Sequence, residues 1–147
     1  ERGEVDGRCG WSWSTLIAAR QQWYKDGTIK ILLQLALHKH KDLPDVPLVM
    51  DLAKTDEQRQ VLRLIFVRAT LGRPFLAPPN LPADRAAALR KAFDDTMRDP
   101  EFLAEAKKAR LEINPVTGDD LEKLVEEVYK TPKAVVERTR AILGEPQ

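Results

Sequence analysis

Apolar side chains recur every three or four residues in six stretches of the chain, the spacing of one buried helix face. Gly27 and Gly144 stand where the first and last of these stretches end, as helix C-terminal glycines do. Most stretches also begin on capping residues: Ser12 or Ser14, Thr55 with Gln58, Pro82 near a first turn, Asp99 with Pro100, Thr117 with Asp120, and Thr131 with Pro132. The sequence therefore predicts six helices.

Between Thr28 and Leu37 every odd position is apolar, and Leu32 and Ala36 add apolar groups to the other face. This pattern predicts a central strand buried on both sides, which is typical of parallel sheets covered by helices. Three further segments read as strands: Val5–Cys9, Arg73–Ala77 and Leu111–Val116. The alternation of strands and helices predicts an α/β fold, mainly a parallel sheet layered with helices.

Composition and the lack of known motifs exclude several classes of function. The 147 residues carry 24 Lys and Arg against 23 Asp and Glu, so no overall field attracts nucleic acid or an anionic membrane. No Gly-x-Ser-x-Gly elbow is present, and the spacing of Gly3, Gly7 and Gly10 matches neither the dinucleotide nor the P-loop fingerprint. We therefore predict a folded, non-catalytic protein without a cofactor.

Three further groups of polar or reactive residues are not predicted to form sites. Cys9 is the single cysteine, and we expect it to be a small buried hydrophobe rather than a nucleophile. His38 and His40, with Asp42 or Asp45, lack the frame of a zinc site, so no metal is predicted. Acids are interleaved around a set of helix arginines, which indicates a solvated face and no nucleic acid; these are Arg59, Arg63 and Arg68.

The least ordinary segment runs from Arg8 to Ser14, and its candidate ligand-binding residues are Arg8, Gly10, Trp11, Ser12, Trp13 and Ser14. A predicted strand ends here and a serine-capped helix begins. Helix N-terminal N–H groups and hydroxyls suit a carboxylate, an arginine adds a charged fork, and an indole can wall an apolar ligand body. The alternative, that both tryptophans are core and the serines only cap, stays open.

Two proline-marked segments carry a resemblance to a known family. They are Leu43-Pro44-Asp45-Val46-Pro47 and Arg73-Pro74-Phe75-Leu76-Ala77-Pro78-Pro79-Asn80-Leu81-Pro82, with further agreement at Asp99-Pro100-Glu101-Phe102. In this order they resemble the C-terminal half of the tripartite tricarboxylate transporter receptors, the TctC or Bug family of periplasmic solute-binding proteins. No single motif is diagnostic of that family; their succession is.

The resemblance implies a partial type II periplasmic-binding-protein fold, with residues 1–70 finishing one lobe and crossing over, and 71–147 returning to the other as a mostly helical segment. It implies a periplasmic receptor that binds a small organic acid, a di- or tricarboxylate or a related acid, and presents it to membrane permease subunits. The missing N-terminal half would be a further partner. The main alternative is a structural or self-associating module, for instance a homodimer, with no ligand of its own.

Overall fold

A computed structural model describes residues 3–144 of the chain. Within that range the secondary structure is helical. The α-helices are α1 (Trp13–Lys25), α2 (Asp56–Leu71), α3 (Ala83–Thr96), α4 (Pro100–Lys108), α5 (Gly118–Tyr129) and α6 (Lys133–Leu143), and one 3-10 helix spans Val49–Leu52. All six helices predicted from the sequence are present.

Capping side chains at the predicted positions explain where most of these helices begin. The hydroxyl of Ser12 accepts the Thr15 N–H at 3.3 Å, and the hydroxyl of Thr117 accepts the Asp120 N–H at 3.2 Å. The Asp99 carboxylate does the same for Phe102 at 2.8 Å, with Pro100 in the first turn. Each cap satisfies an N–H group that the helix itself leaves without an acceptor.

The predicted α/β fold is wrong. Residues 3–144 contain no β-sheet, and the nearest feature is an isolated parallel bridge between Gln34 and Leu48. The mainly parallel sheet and the partial type II periplasmic-binding-protein architecture that the resemblance implied are therefore absent from the described part of the chain. All four predicted strands are irregular segments: Val5–Cys9, Thr28–Leu37, Arg73–Ala77 and Leu111–Val116.

The failure of the strand predictions has a physical cause. In the segment that follows Thr28 the odd positions are half-buried and Leu32 is exposed, but the most buried residue is the polar Gln34 at an even position, so burial does not follow the alternation. A strand also needs a neighbour that accepts and donates ladder hydrogen bonds. Such a neighbour is found only at Gln34. Around Phe75 and Leu76, both 87% exposed, the flanking prolines remove further donors.

The described residues fall into two compact units, and the chain passes between them after Lys30, within α3 after Lys91, and after Pro115. The first unit comprises residues 3–30 and 92–115, and its buried apolar side chains are Leu16 on α1 and Ala106 on α4. The second comprises 31–91 and 116–144, in which α2 packs against α6, α5 and the 3-10 helix. Its buried apolar side chains are Leu43, Leu48, Val49, Val61, Val67 and Val135.

Gln34 fixes the loop that precedes the 3-10 helix in the second unit. Its side chain is buried, and its amide nitrogen donates to the carbonyls of Leu43 at 2.8 Å and Val46 at 2.9 Å. Its amide oxygen accepts the His40 N–H at 2.7 Å. Its own backbone bonds Pro47 and Val49. One polar residue thus holds the proline-marked loop closed, and the polar atoms that this loop buries are satisfied.

Candidate functional site

The predicted site lies at the N-terminal end of α1, in the first unit. Gly10 takes a positive φ of 75°, a conformation that glycine adopts without steric cost, and the chain turns there into the helix. Ser12 follows as the N-cap, with extended backbone angles of −70° and 140°. Its hydroxyl also donates to the Thr15 hydroxyl at 2.6 Å. The prediction that Ser12 or Ser14 caps this helix is confirmed for Ser12.

The aromatic residues of the first unit form two edge-to-face pairs around α1. Trp11 meets Trp23 with ring centroids 6.3 Å apart, and Trp13 meets Tyr24 at 5.0 Å. Such pairs contribute about 0.5–1.5 kcal/mol beyond the area they bury. All four rings are half-buried rather than enclosed. The indoles therefore serve both as packing partners and as partly accessible aromatic surface.

Two arginines lie against these indoles. The Arg8 guanidinium carbon is 5.3 Å from the Trp11 ring centroid, and that of Arg20 is 5.2 Å from Trp23, both within cation–π range. Arg20 also interrupts the helix, with φ −145° and ψ 32°, so that α1 is kinked there. No acidic residue occurs between Gly7 and Lys25. The start of α1 therefore presents arginine side chains in contact with indole rings.

The geometry brings some of the predicted site residues together and leaves others apart. Arg8 and Trp11 are in contact, and Ser12 forms the helix cap next to them. Trp13 turns to Tyr24 instead of Trp11. Ser14 is exposed in the first turn. The expectation that this segment follows a sheet strand is wrong, because Val5–Cys9 is not a strand; only the helix terminus and the aromatic surface remain to support a site.

The structure shows the surroundings of Cys9 and His40. Cys9 is exposed, so the expectation of a small buried hydrophobe is wrong. The imidazole Nδ1 of His40 accepts the Asp42 N–H at 3.1 Å, which gives this histidine a role in the loop turn. Among residues 3–144 no three His, Cys, Asp or Glu side chains are grouped closely enough to hold a metal ion.

At the other end of α1, Asp26 forms a short side-chain turn. Its carboxylate accepts the Thr28 hydroxyl at 2.7 Å and the Thr28 N–H at 3.0 Å. These hydrogen bonds favour the ionised form and lower the pKa of Asp26 below its usual value. Gly27, at φ 75°, completes the exit from the helix, as the sequence predicted.

Sequence reasoning missed a cleft of about 270 Å³ in the second unit. It is lined from α2 by Gln60, Arg63 and Leu64, and from the end of α5 and the turn into α6 by Glu127, Val128 and Pro132. Arg63 and Glu127, both in its lining, form an ion pair. These two residues are 64 positions apart in the chain, so no local sequence pattern could have paired them.

The chain matches no protein-family model, no curated protein and no solved structure. Across residues 3–144, none of the helices combines the length and the apolar character needed to span a bilayer.

Proposed function

We propose that this chain takes part in capturing a small carboxylate, as part of an extracytoplasmic solute-binding receptor of the tripartite tricarboxylate type. The observation that carries the proposal is the position of Arg8, whose guanidinium lies 5.3 Å from the Trp11 ring at the N-terminal end of α1. This turn combines the Arg8 guanidinium, which can donate several hydrogen bonds, with the Trp11 indole and the N-terminus of α1, where the helix dipole is positive.

Each component contributes something different to binding. The first N–H groups of a helix have no intrahelical acceptor, and the helix dipole places partial positive charge there. Arg8 adds a charge-assisted hydrogen bond, worth roughly 1.5–3 kcal/mol. Trp11 offers an apolar surface to the ligand body. No acidic residue lies between Gly7 and Lys25, so the turn itself contributes no carboxylate.

Calorimetric titration with succinate and citrate tests this site directly. We expect Arg8→Gln to weaken binding at least about tenfold, since the loss of roughly 1.4 kcal/mol has that effect. The double variant Ser12→Ala/Ser14→Ala removes both hydroxyls and should also weaken binding. Arg98→Gln is the matched control, because Arg98 is an exposed arginine of the same unit outside the turn.

Each outcome of this titration bears on the proposal. Selective weakening in the Arg8 and Ser12/Ser14 variants supports it, provided that circular dichroism shows unchanged helix content. Equal weakening in Arg98→Gln would reduce the effect to general charge attraction. Full affinity in both site variants, or no binding by the unaltered chain, would rule the turn out as a carboxylate site.

The wider biological role rests on the resemblance alone. The succession of proline-marked segments from Leu43 to Pro82 supports a periplasmic receptor that delivers its acid to membrane permease subunits and is completed by an N-terminal half. The predicted sheet does not occur among residues 3–144, which removes one argument for this role. A pull-down of the permease subunits by the full-length receptor, with and without the acid, tests it.

A self-associating module is a second candidate, and exposed apolar side chains favour it. Tyr129 is 87% exposed, Leu143 65% and Leu52 58%, all within the second unit. We expect a second copy of the chain to cover these apolar side chains, because a net charge of +1 gives little repulsion between copies. Sedimentation over a range of concentrations should then show a reversible dimer that Tyr129→Ser weakens; a monomer at all concentrations would contradict it.

A further inference from the structure

The cleft between α2 and the α5–α6 turn is lined by charged side chains of both signs and by apolar side chains. Arg63 on α2 and Glu127 on α5, both in its lining, form an ion pair, and their side chains are 55% and 53% exposed. Leu64, Val128 and Pro132 supply the apolar lining. A volume of about 270 Å³ lies just below the usual range for drug-sized ligands, so it suits a smaller molecule.

We propose that this cleft binds a zwitterionic α-amino acid with a short aliphatic side chain. The ligand carboxylate would meet the Arg63 guanidinium, and the ligand ammonium would meet the Glu127 carboxylate. The aliphatic side chain would lie on Leu64 and Val128. This site is distinct from the turn at Arg8, since it belongs to the second unit and uses different residues.

The pair of opposite charges selects a zwitterion over its relatives. A simple carboxylate placed at Arg63 would also face the negative charge of Glu127, and a simple amine would face the positive charge of Arg63. An α-amino acid carries both groups on one carbon and presents each to its complement. The other cationic side chain in the lining, Lys130, forms an ion pair with Glu126 at 3.6 Å.

The existing ion pair does not prevent binding. Because both side chains are about half exposed, their mutual attraction is largely screened by water, and pairs of this kind contribute little to stability. The Arg63 guanidinium has five N–H donors, and only its Nη2 nitrogen donates to Glu127. The other donors can reach a ligand carboxylate. The ligand can therefore bind beside the pair or between its members without breaking a strong interaction.

Titration of the ¹⁵N-labelled chain with L-valine, followed by NMR, tests the proposal. We expect saturable shift changes at the amides of Leu64, Val128 and Thr131. Two matched compounds separate the charges: 3-methylbutanoate lacks the ammonium group, and 2-methylpropylamine lacks the carboxylate. Each should bind at least about tenfold more weakly than valine.

Variants identify the residues responsible. Arg63→Gln and Glu127→Gln should each weaken valine binding about tenfold or more, whereas Arg59→Gln, one turn earlier on α2 and paired with Asp56, should leave it unchanged. All three tryptophans lie between Trp11 and Trp23, so their fluorescence reports on the first unit and should not respond to valine. No saturable shifts, equal binding of 3-methylbutanoate, or full affinity in Arg63→Gln would overturn the proposal.

Discussion

Gln34 shows how much of a loop can depend on one side chain. It is 7% exposed, and its amide group bonds three backbone groups spread between His40 and Val46. An apolar replacement of similar size would fill the space but leave those donors and acceptors without partners. Leaving a buried polar group unsatisfied costs roughly 1–3 kcal/mol.

We therefore predict that Gln34→Leu lowers the free energy of unfolding by about 2–4 kcal/mol, the sum of more than one such loss. Urea denaturation measures this change. Gln60→Leu, an exposed glutamine of the same unit, serves as the control and should change stability by less than about 0.5 kcal/mol. Equal effects in the two variants would show that the Gln34 hydrogen bonds do not hold the loop.

Asp26 gives a pH-dependent prediction at the same scale. Its folded-state pKa is lowered by the bonds from Thr28, so its contribution is present above the unfolded pKa and is lost as pH falls through the folded value. The Thr28 amide shift should accordingly change below about pH 4, the ordinary range of aspartate. Asp26→Asn keeps an oxygen acceptor that does not titrate, and it should abolish this change. Persistence of the change in that variant would refute the assignment.

At the scale of elements, local caps and contacts from other helices together stabilise the helix ends. The N-terminus of α5 shows this with two contributions: Thr117 caps it, and Arg90 on α3 binds Asp119 and Glu122. The bond to Glu122 and the charges of Asp119 and Glu122 raise the pKa of Arg90 above its ordinary value. The guanidinium also lies against the Gly118 backbone, where a Cβ would come within 3.3 Å.

We predict that Thr117→Ala destabilises the protein by about 1 kcal/mol, the usual contribution of an N-cap hydroxyl. Thr131→Ala is the matched control, because it precedes α6, whose N-cap Pro132 makes no side-chain capping bond. Thermal unfolding of the two variants gives the comparison. A loss in Thr131→Ala as large as that in Thr117→Ala would indicate that the cap itself is not the source of stability.

At the scale of the whole molecule, the sequence predicted local structure well and long-range structure poorly. Apolar spacing and capping signals such as Thr55 with Gln58 act within a few turns, and together they predict all six helices; even here Gln58 bonds the Lys54 N–H rather than that of Thr55. A strand depends on a distant partner that local alternation does not supply. The odd-numbered apolar positions after Thr28 are half-buried, yet they form no sheet.

The same distinction applies to the sites. The Ser12 cap and its neighbour Arg8 could be found from sequence because they are close along the chain. The edge-to-face contact of Trp11 with Trp23 depends on how the turn enters α1, and spacing alone gave no sign of it. The cleft depends on α2 meeting α5, which only the packing of the second unit reveals.

Amide hydrogen exchange of the segment from Ile29 to Leu37 most directly tests the helical fold, without a sheet, that residues 3–144 adopt. In the structure the Ile29 N–H bonds the Trp23 carbonyl at 3.0 Å and the Gln34 N–H bonds the Pro47 carbonyl at 2.8 Å. We predict protection at these two amides and rapid exchange at the remaining amides of the segment. Protection running through the whole segment, as in a central strand of a parallel sheet, would contradict the fold.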